Sequence, residues 1–290
     1  MFSGSITALI TPFIENTLDE TALKTFIEWQ ISQGTDGLVP CGTTGESPVL
    51  SHEEHKRVIE ITVEVAKGNI PVIAGSGSNS TEEAIHLSQH AERSGVDALL
   101  LVTPYYNKPN QEGLKAHFLS IANAVNIPII IYNIPPRSSV DMNMETMQEL
   151  SFHPNIVGVK DATGDLNRPL EARLNISTDF CLLSGDDETT VAYLAQGGHG
   201  CVSVLSNVAP MLSAKLHKAW KKGDLPEVCR LRDLLHPLSN TLFVEPNPAP
   251  IKFACSLLSK CLPDTRLPMI PLTEQSKIQI ESAMQNAGLI

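Results

Sequence analysis

At 290 residues the chain is about twice the commonest domain size, which leaves two ordinary domains or one large α/β barrel. Hydrophobic residues make up 42% and charged residues 18%, a balance that excludes a disordered or collagen-like chain. With 21 Lys+Arg against 32 Asp+Glu the formal charge is -11, so a broad basic face of the kind that grips phosphate backbones is excluded and no nucleic-acid partner is expected.

The longest apolar runs, Ala98 to Val102 and Ile127 to Tyr132, are far short of the roughly 20 residues of a membrane helix, so no membrane partner is expected. Met1-Phe2-Ser3-Gly4-Ser5 has no basic n-region, and the reading is a cytoplasmic protein. Cys41, Cys181, Cys201, Cys229, Cys255 and Cys261 contain no C-x-x-C pair, as expected of reduced thiols rather than a disulfide or zinc framework.

In chain order, short apolar runs alternate with helical stretches. The predicted strands are Ser5–Ile10, Gly37–Val39, Pro71–Ala74, Ala98–Val102, Pro128–Tyr132, Ile156–Lys160, Phe180–Leu183 and Gly200–Val204, most of them rich in Val, Ile, Leu and Ala as buried parallel strands are. Between them, Ser51-x-x-Glu54 resembles a capping box opening a helix to Lys67, and Thr81 begins another to Ser94. Gln111–Val125, Met144–Leu150, Leu166–Asn175 and Glu188–Gln196 follow. Eight such repeats match an α/β fold, the (β/α)8 TIM barrel of about 250 residues. A doubly wound sheet is the alternative, but its G-x-G-x-x-G fingerprint is absent, and Gly75-Ser76-Gly77-Ser78-Asn79-Ser80 lacks the last glycine. After residue 207 strand signals stop, and Val208–Lys222, Pro226–Asn240 and Pro250–Leu258 read as helices. The expected division is a catalytic barrel over 1–224 and a C-terminal helical appendage over 225–290.

A barrel's active site lies at the C-terminal ends of its strands. Reactive residues gather there: Cys41 to Ser47, Thr103 to Asn107, Tyr132 to Arg137, Lys160 to Gly164, and Ser184 to Asp187. Three of the four tyrosines, Tyr105, Tyr106 and Tyr132, stand at these ends.

Lys160 closes an apolar run, where alternation points it into the barrel or its mouth. A free ε-amine has a pKa of about 10.4 and is ammonium at neutral pH; apolar burial disfavours the charge and frees an amine able to attack a carbonyl, the origin of Schiff-base lysines. The alternatives are a lysine that snorkels to water or one paired with Asp161. Tyr132 ends the adjacent strand and could move a proton if linked to hydroxyls such as Thr43 and Tyr106, or it could be a core aromatic. Gly42-Thr43-Thr44-Gly45-Glu46 places two hydroxyl residues between glycines, a turn able to receive a small carboxylate or to serve only as a connection. Arg137 follows Pro135-Pro136 and could grip a carboxylate bidentately or be a solvated loop residue. His52/His55 and His86/His90 have helical spacing, but neither sits in H-E-x-x-H or has a third ligand nearby, so no metal is expected. Neither a P-loop nor G-x-S-x-G occurs.

These motifs together resemble the dihydrodipicolinate synthase family of Schiff-base lyases, which includes N-acetylneuraminate lyase. The resemblance runs end to end through Gly42-Thr43-Thr44-Gly45-Glu46-Ser47, Thr103-Pro104-Tyr105-Tyr106-Asn107, Tyr132-Asn133-Ile134-Pro135-x-Arg137 and Val159-Lys160-x-Ala162-Thr163-Gly164. It continues through Leu183-Ser184-Gly185-Asp186-Asp187, Gly197-Gly198-His199-Gly200 and Glu245-Pro246-Asn247-Pro248. Asp161 stands where glutamate often follows the lysine. The resemblance implies that Lys160 forms an imine with pyruvate and that Tyr132, Thr43 and Tyr106 form a proton relay, Tyr106 coming from a neighbouring subunit. It implies that Thr44, Gly185 and Val202 bind or orient pyruvate and that Arg137 receives the carboxylate of L-aspartate 4-semialdehyde. No cofactor is implied, and the expected assembly is a homotetramer, a dimer of dimers.

Ser47, Pro48, His52, His55, Asn79, Glu83 and Tyr105 resemble the family's L-lysine effector site, with Pro48 where alanine is common. Feedback by L-lysine is the corresponding expectation. The competing readings are a sugar-acid aldolase of the same fold and a barrel retained for binding. Arg137 and Thr43-Thr44 favour the synthase over the first, and Lys160 with Tyr132 argues against the second.

Overall fold

The computed structural model describes residues 2–290. Each expected apolar run forms a parallel strand: β1 Gly4–Ala8, β2 Gly37–Val39, β3 Ile73–Gly75, β4 Ala98–Val102, β5 Ile129–Asn133, β6 Ile156–Asp161, β7 Cys181–Ser184 and β8 Gly200–Ser203. Their order is β2-β1-β8-β7-β6-β5-β4-β3, and a parallel bridge between Leu38 and Val72 closes β2 on β3. The result is a (β/α)8 barrel, with the strand ends gathered at one mouth.

Strand alternation divides the core in two. Ile6, Ala8, Val39, Ile73, Ala98, Leu100, Ile130, Tyr132, Leu183 and Val202 fill the barrel interior. The intervening residues, such as Leu99, Leu101, Ile129 and Ile131, pack outward against the helices. Among the described residues Tyr132 is the only aromatic in the buried interior, and its phenol lies near the end of its strand.

The helices are α1 Glu20–Ser32, α2 His52–Ala66, α3 Thr81–Ser94, α4 Gln111–Ala122, α5 Pro135–Ser138, α6 Met144–Leu150, α7 Arg168–Asn175 and α8 Thr190–Ala195. Then come α9 Pro210–Lys222, α10 Leu225–Thr241, α11 Ala249–Leu257 and α12 Glu274–Asn286. The expected capping box is formed: Ser51 Oγ accepts from Glu54 N–H at 3.1 Å and Glu54 accepts from Ser51 N–H at 2.9 Å. α8 starts later than its apolar pattern, because Asp186 accepts from the Glu188 N–H and the Thr189 hydroxyl in a turn of their own.

The sequence reading gives no bounds for α1 or α12 and misses a small hairpin of Phe13–Ile14 with Thr17–Leu18. For α1 the signal exists: Asp19 caps the helix, and Leu23, Phe26, Ile27 and Gln30 form its buried stripe. Gln30 is polar, and it works as a buried clamp that donates to the carbonyls of Ser206 and Asn207 and accepts from Thr7 Oγ1. Among the described residues no helix is long and apolar enough to cross a membrane.

Candidate active site

Lys160 and Tyr132 are register partners on adjacent strands β6 and β5. Both are buried, each 6% exposed, and Lys160 Nζ lies 4.0 Å from the centroid of the Tyr132 ring. The amine thus sits over the face of the ring. Pairing with Asp161 does not occur. Asp161 accepts instead from Arg168 Nε at 2.8 Å and from the Thr163 N–H and hydroxyl at 2.9 and 2.6 Å. Alternation turns the two side chains to opposite faces of β6, and Lys160 makes no ion pair among the described residues. A buried amine without a carboxylate partner is the state in which a lysine can attack a carbonyl.

Gly185, after β7, explains why no larger residue stands there. A Cβ at this position would lie 3.1 Å from Lys160 Cε and 2.7 Å from Ala162 Cβ, so only glycine leaves the lysine its channel. The Gly185 N–H is held by the Asp161 carbonyl at 2.7 Å. Val202 on β8 is buried in the same interior layer as Tyr132.

The turn after β2 carries Thr43 and Thr44. Cys41 and Glu46 at its two ends adopt left-handed backbone, with φ of 55° and 56°, a conformation that side chains other than glycine resist. Thr43 is half-buried, and Thr44 is buried with its Oγ1 accepting from Asn247 Nδ2 at 3.1 Å. Arg137 sits on α5, a single turn started by Pro135 and Pro136. It is exposed and makes no ion pair among the described residues.

A cavity of about 370 Å³ joins these loops. Thr43, Tyr132 and Arg137 are among the residues that line it, and so are Ser47, Pro48, His52, His55, Glu83 and Tyr105. Thr44, Lys160, Gly185 and Val202 are not part of its wall. Asn79 does not line it either, but its side-chain amide donates to the Tyr105 carbonyl at 3.2 Å. The candidate effector residues therefore converge, apart from Asn79, on the cavity that Tyr132 and Thr43 face.

In the cavity wall, His52 Nε2 and Glu83 Oε1 are 2.9 Å apart, and the Ser78 hydroxyl donates to the other oxygen of Glu83. These two contacts hold the Glu83 carboxyl below the usual carboxylate range, the serine first and the histidine second. Burial pulls His55 down to about 4, and burial with the Glu83 charge pushes Tyr105 up. An anionic carboxylate in a cavity wall is a receptor for a cationic amine. No three His, Cys, Asp or Glu side chains converge as a metal-binding set among the described residues.

Tyr106 is not joined to Tyr132 within the chain. It is 89% exposed, with φ of 70°, and stands out from the loop after β4. Sequence reading did not single out Lys252, which is wholly buried and ion-paired with Glu46 of the turn. Its signal was a lone charge in the otherwise uncharged stretch Ala249 to Leu257.

A barrel with an unpaired buried lysine at the end of β6, covered by a tyrosine from β5, defines the class of lysine-dependent carbonyl enzymes. The sequence profile of the dihydrodipicolinate synthetase family matches residues 1–287, and the chain belongs to that family. It is 60% identical over 290 residues to the 4-hydroxy-tetrahydrodipicolinate synthase of Rhodospirillum centenum, covering 100% of both chains. The dihydrodipicolinate synthase of Acinetobacter baumannii, solved with pyruvate, is 42% identical with a TM-score of 0.97, covering 100% of each chain. The enzyme from Cyanidioschyzon merolae, solved with lysine bound, is 38% identical with a TM-score of 0.97, covering 100% of this chain and 99% of that one.

Proposed function

We propose that the protein acts as a 4-hydroxy-tetrahydrodipicolinate synthase, a lyase that condenses pyruvate with L-aspartate 4-semialdehyde in lysine biosynthesis. The observation that carries this reading is Lys160: buried, over Tyr132, and relieved of Asp161 by Arg168. In this reading residues 1–224 are the catalytic barrel and 225–290 the helical region.

The Lys160 amine attacks the C2 carbonyl of pyruvate, and loss of water gives the imine. Thr44 and the adjoining turn amides receive the pyruvate carboxylate, with Val202 and Gly185 shaping the space beside it. Tyr132, Thr43 and a Tyr106 from a second copy pass protons between the imine site and solvent. Loss of a methyl proton gives the enamine, whose carbon attacks the aldehyde of the semialdehyde. Arg137 holds the carboxylate of that substrate by paired N–H donors. Attack of the substrate's amino group on the imine carbon closes the ring and releases Lys160.

L-Lysine binds in this cavity, its ammonium at Glu83 and its contacts shared among Ser47, Pro48, His52, His55, Asn79 and Tyr105, and it lowers activity from there. The assembly is a homotetramer built of dimers, located in the cytoplasm. Net charge of -11 opposes anionic substrates at long range, so binding depends on local donors, the turn at Thr43-Thr44 and Arg137.

Borohydride reduction with pyruvate, followed by peptide mass mapping, tests the reading. The expected product is a reduced pyruvyl adduct on Lys160. An unmodified Lys160 would overturn it, and an adduct without condensation with aspartate semialdehyde would favour the sugar-acid aldolase instead.

A further inference from the structure

Lys252 on α11 is the most deeply buried charged side chain in the protein, at 0% exposure. Its Nζ donates to Glu46 Oε1 at 2.7 Å and to the Thr11 carbonyl at 2.8 Å, and it lies 4.1 Å from the Phe13 ring centroid. The second oxygen of Glu46, itself only 2% exposed, accepts from the Arg266 N–H at 3.0 Å. All contacts of the Glu46 carboxylate thus come from residues more than two hundred positions later in the chain.

Glu46 is also the left-handed end of the turn that presents Thr43 and Thr44, and its own N–H donates to the Thr43 carbonyl at 3.1 Å. A non-glycine residue keeps that backbone only where its surroundings over-determine it. The turn is pinned on its other side by Thr11, whose hydroxyl donates to the Gly45 carbonyl at 2.7 Å and whose carbonyl meets Lys252. Removing one partner of a dry ion pair leaves the other uncompensated, so the pair moves as a unit or not at all.

Building on the proposed function, we propose that Lys252 and Glu46 are positioning residues: through their ion pair, helix α11 sets the geometry in which the 42–47 turn receives pyruvate. The C-terminal helices then act on the first substrate and not on the second, because Arg137 rides on α5, a loop with no bond to this pair. The observations that distinguish this from ordinary core support are the strained backbone at Glu46 and the direct Glu46–Thr43 hydrogen bond.

The test uses the full-length enzyme with three variants: Glu46→Gln, Lys252→Met, and Lys252→Met with Glu46→Met. The double variant replaces the pair by apolar side chains of similar length, the change under which a buried pair is dispensable for folding. In folded double variant, KM for pyruvate is expected to rise about tenfold or more, while KM for aspartate semialdehyde changes less than about twofold. Glu46→Gln, which keeps volume and one acceptor, is expected to rise about threefold, and it supplies the answer if the methionine variants do not accumulate. Saturating pyruvate with borohydride should still label Lys160 in each folded variant. Unchanged pyruvate KM, or both KM values rising together, would overturn the proposal. Failure of the unmodified enzyme to trap pyruvate would instead overturn the functional reading on which it rests.

Discussion

Lys160 Nζ sits 4.0 Å from the centroid of the Tyr132 ring, across a parallel strand pair in which the two residues are directly in register. One aromatic side chain therefore does two separable things: its ring walls the amine, and its hydroxyl is available to move protons. Tyr132→Phe keeps the wall and removes the hydroxyl. The expected outcome is a pyruvyl adduct still trapped on Lys160, with kcat for condensation lower by about a hundredfold, the size of one lost acid–base group. Steady-state kinetics beside borohydride trapping checks it, and a phenylalanine variant with native kcat would remove the phenol from the relay.

Arg137 is exposed on a proline-started turn and has no carboxylate of its own to release. Arg137→Ala is expected to raise KM for aspartate semialdehyde by about 10- to 100-fold, the value of one or two charge-assisted hydrogen bonds, and to leave pyruvate trapping intact. Arg137→Lys should recover only part of that loss, because an ammonium cannot present the paired donors of a guanidinium. An alanine variant with unchanged semialdehyde KM would mean that the carboxylate is held elsewhere.

The strands were legible because a parallel barrel buries both strand faces, so each strand is an apolar run, and chemistry is confined to where the run ends. Lys160, Tyr132 and the Thr43-Thr44 turn could be read in that way, since each breaks an apolar run. Lys252 interrupts an uncharged stretch as well, but its role could not be read from that. What makes it matter is its ion pair with Glu46, a contact between residues far apart in sequence, which periodicity does not encode. The same holds for Asp161, whose partner could be named only once Arg168 was seen to reach it from α7. Asn247 was read only as part of a family motif; its donation to Thr44 Oγ1 depends on where the C-terminal segment returns to the barrel.

Three histidines, His55, His117 and His217, are buried, and burial pulls each from 6.5 to about 4. The unfolded chain binds a proton on each where the folded chain does not, so stability falls as pH drops from 6.5 to about 4. Each contributes on the order of 3 kcal/mol to that loss. Asp36 and Asp187, raised by burial, act in the opposite sense, since their folded forms hold a proton above the ordinary carboxyl range. Urea unfolding at pH 7, 5.5 and 4.5 is expected to show a falling midpoint, with a smaller fall in His217→Gln. A flat midpoint across this window would contradict the buried neutral imidazoles.

The cavity wall pairs Glu83 with His52, and Ser47 and Tyr105 line the same cavity. Millimolar L-lysine is expected to lower the initial rate at subsaturating pyruvate, and Glu83→Gln to weaken that effect by removing the charge that meets the ammonium. Pro48 occupies the first turn of the short helix Ser47–Val49 and lines the cavity without offering an N–H. An initial rate indifferent to L-lysine would retire the effector assignment and leave the catalytic one untouched.

Tyr106 is 89% exposed, held in left-handed backbone, and does not line the cavity that Tyr132 and Thr43 line. If it completes the relay of a second copy, two inactive variants should repair one another. In a mixed dimer of Tyr106→Phe with Tyr132→Phe, the site built on the first subunit has its own Tyr132 and receives the partner's intact Tyr106, while the other site lacks both. Random one-to-one assembly gives half mixed dimers with one working site in two, or about a quarter of native activity. Co-expression with two different affinity tags, followed by assay of the doubly purified tetramers, removes the unmixed species and is expected to bring activity to about two-sevenths of native. A mixed species no more active than either parent would place Tyr106 in its own subunit's site or outside the chemistry altogether.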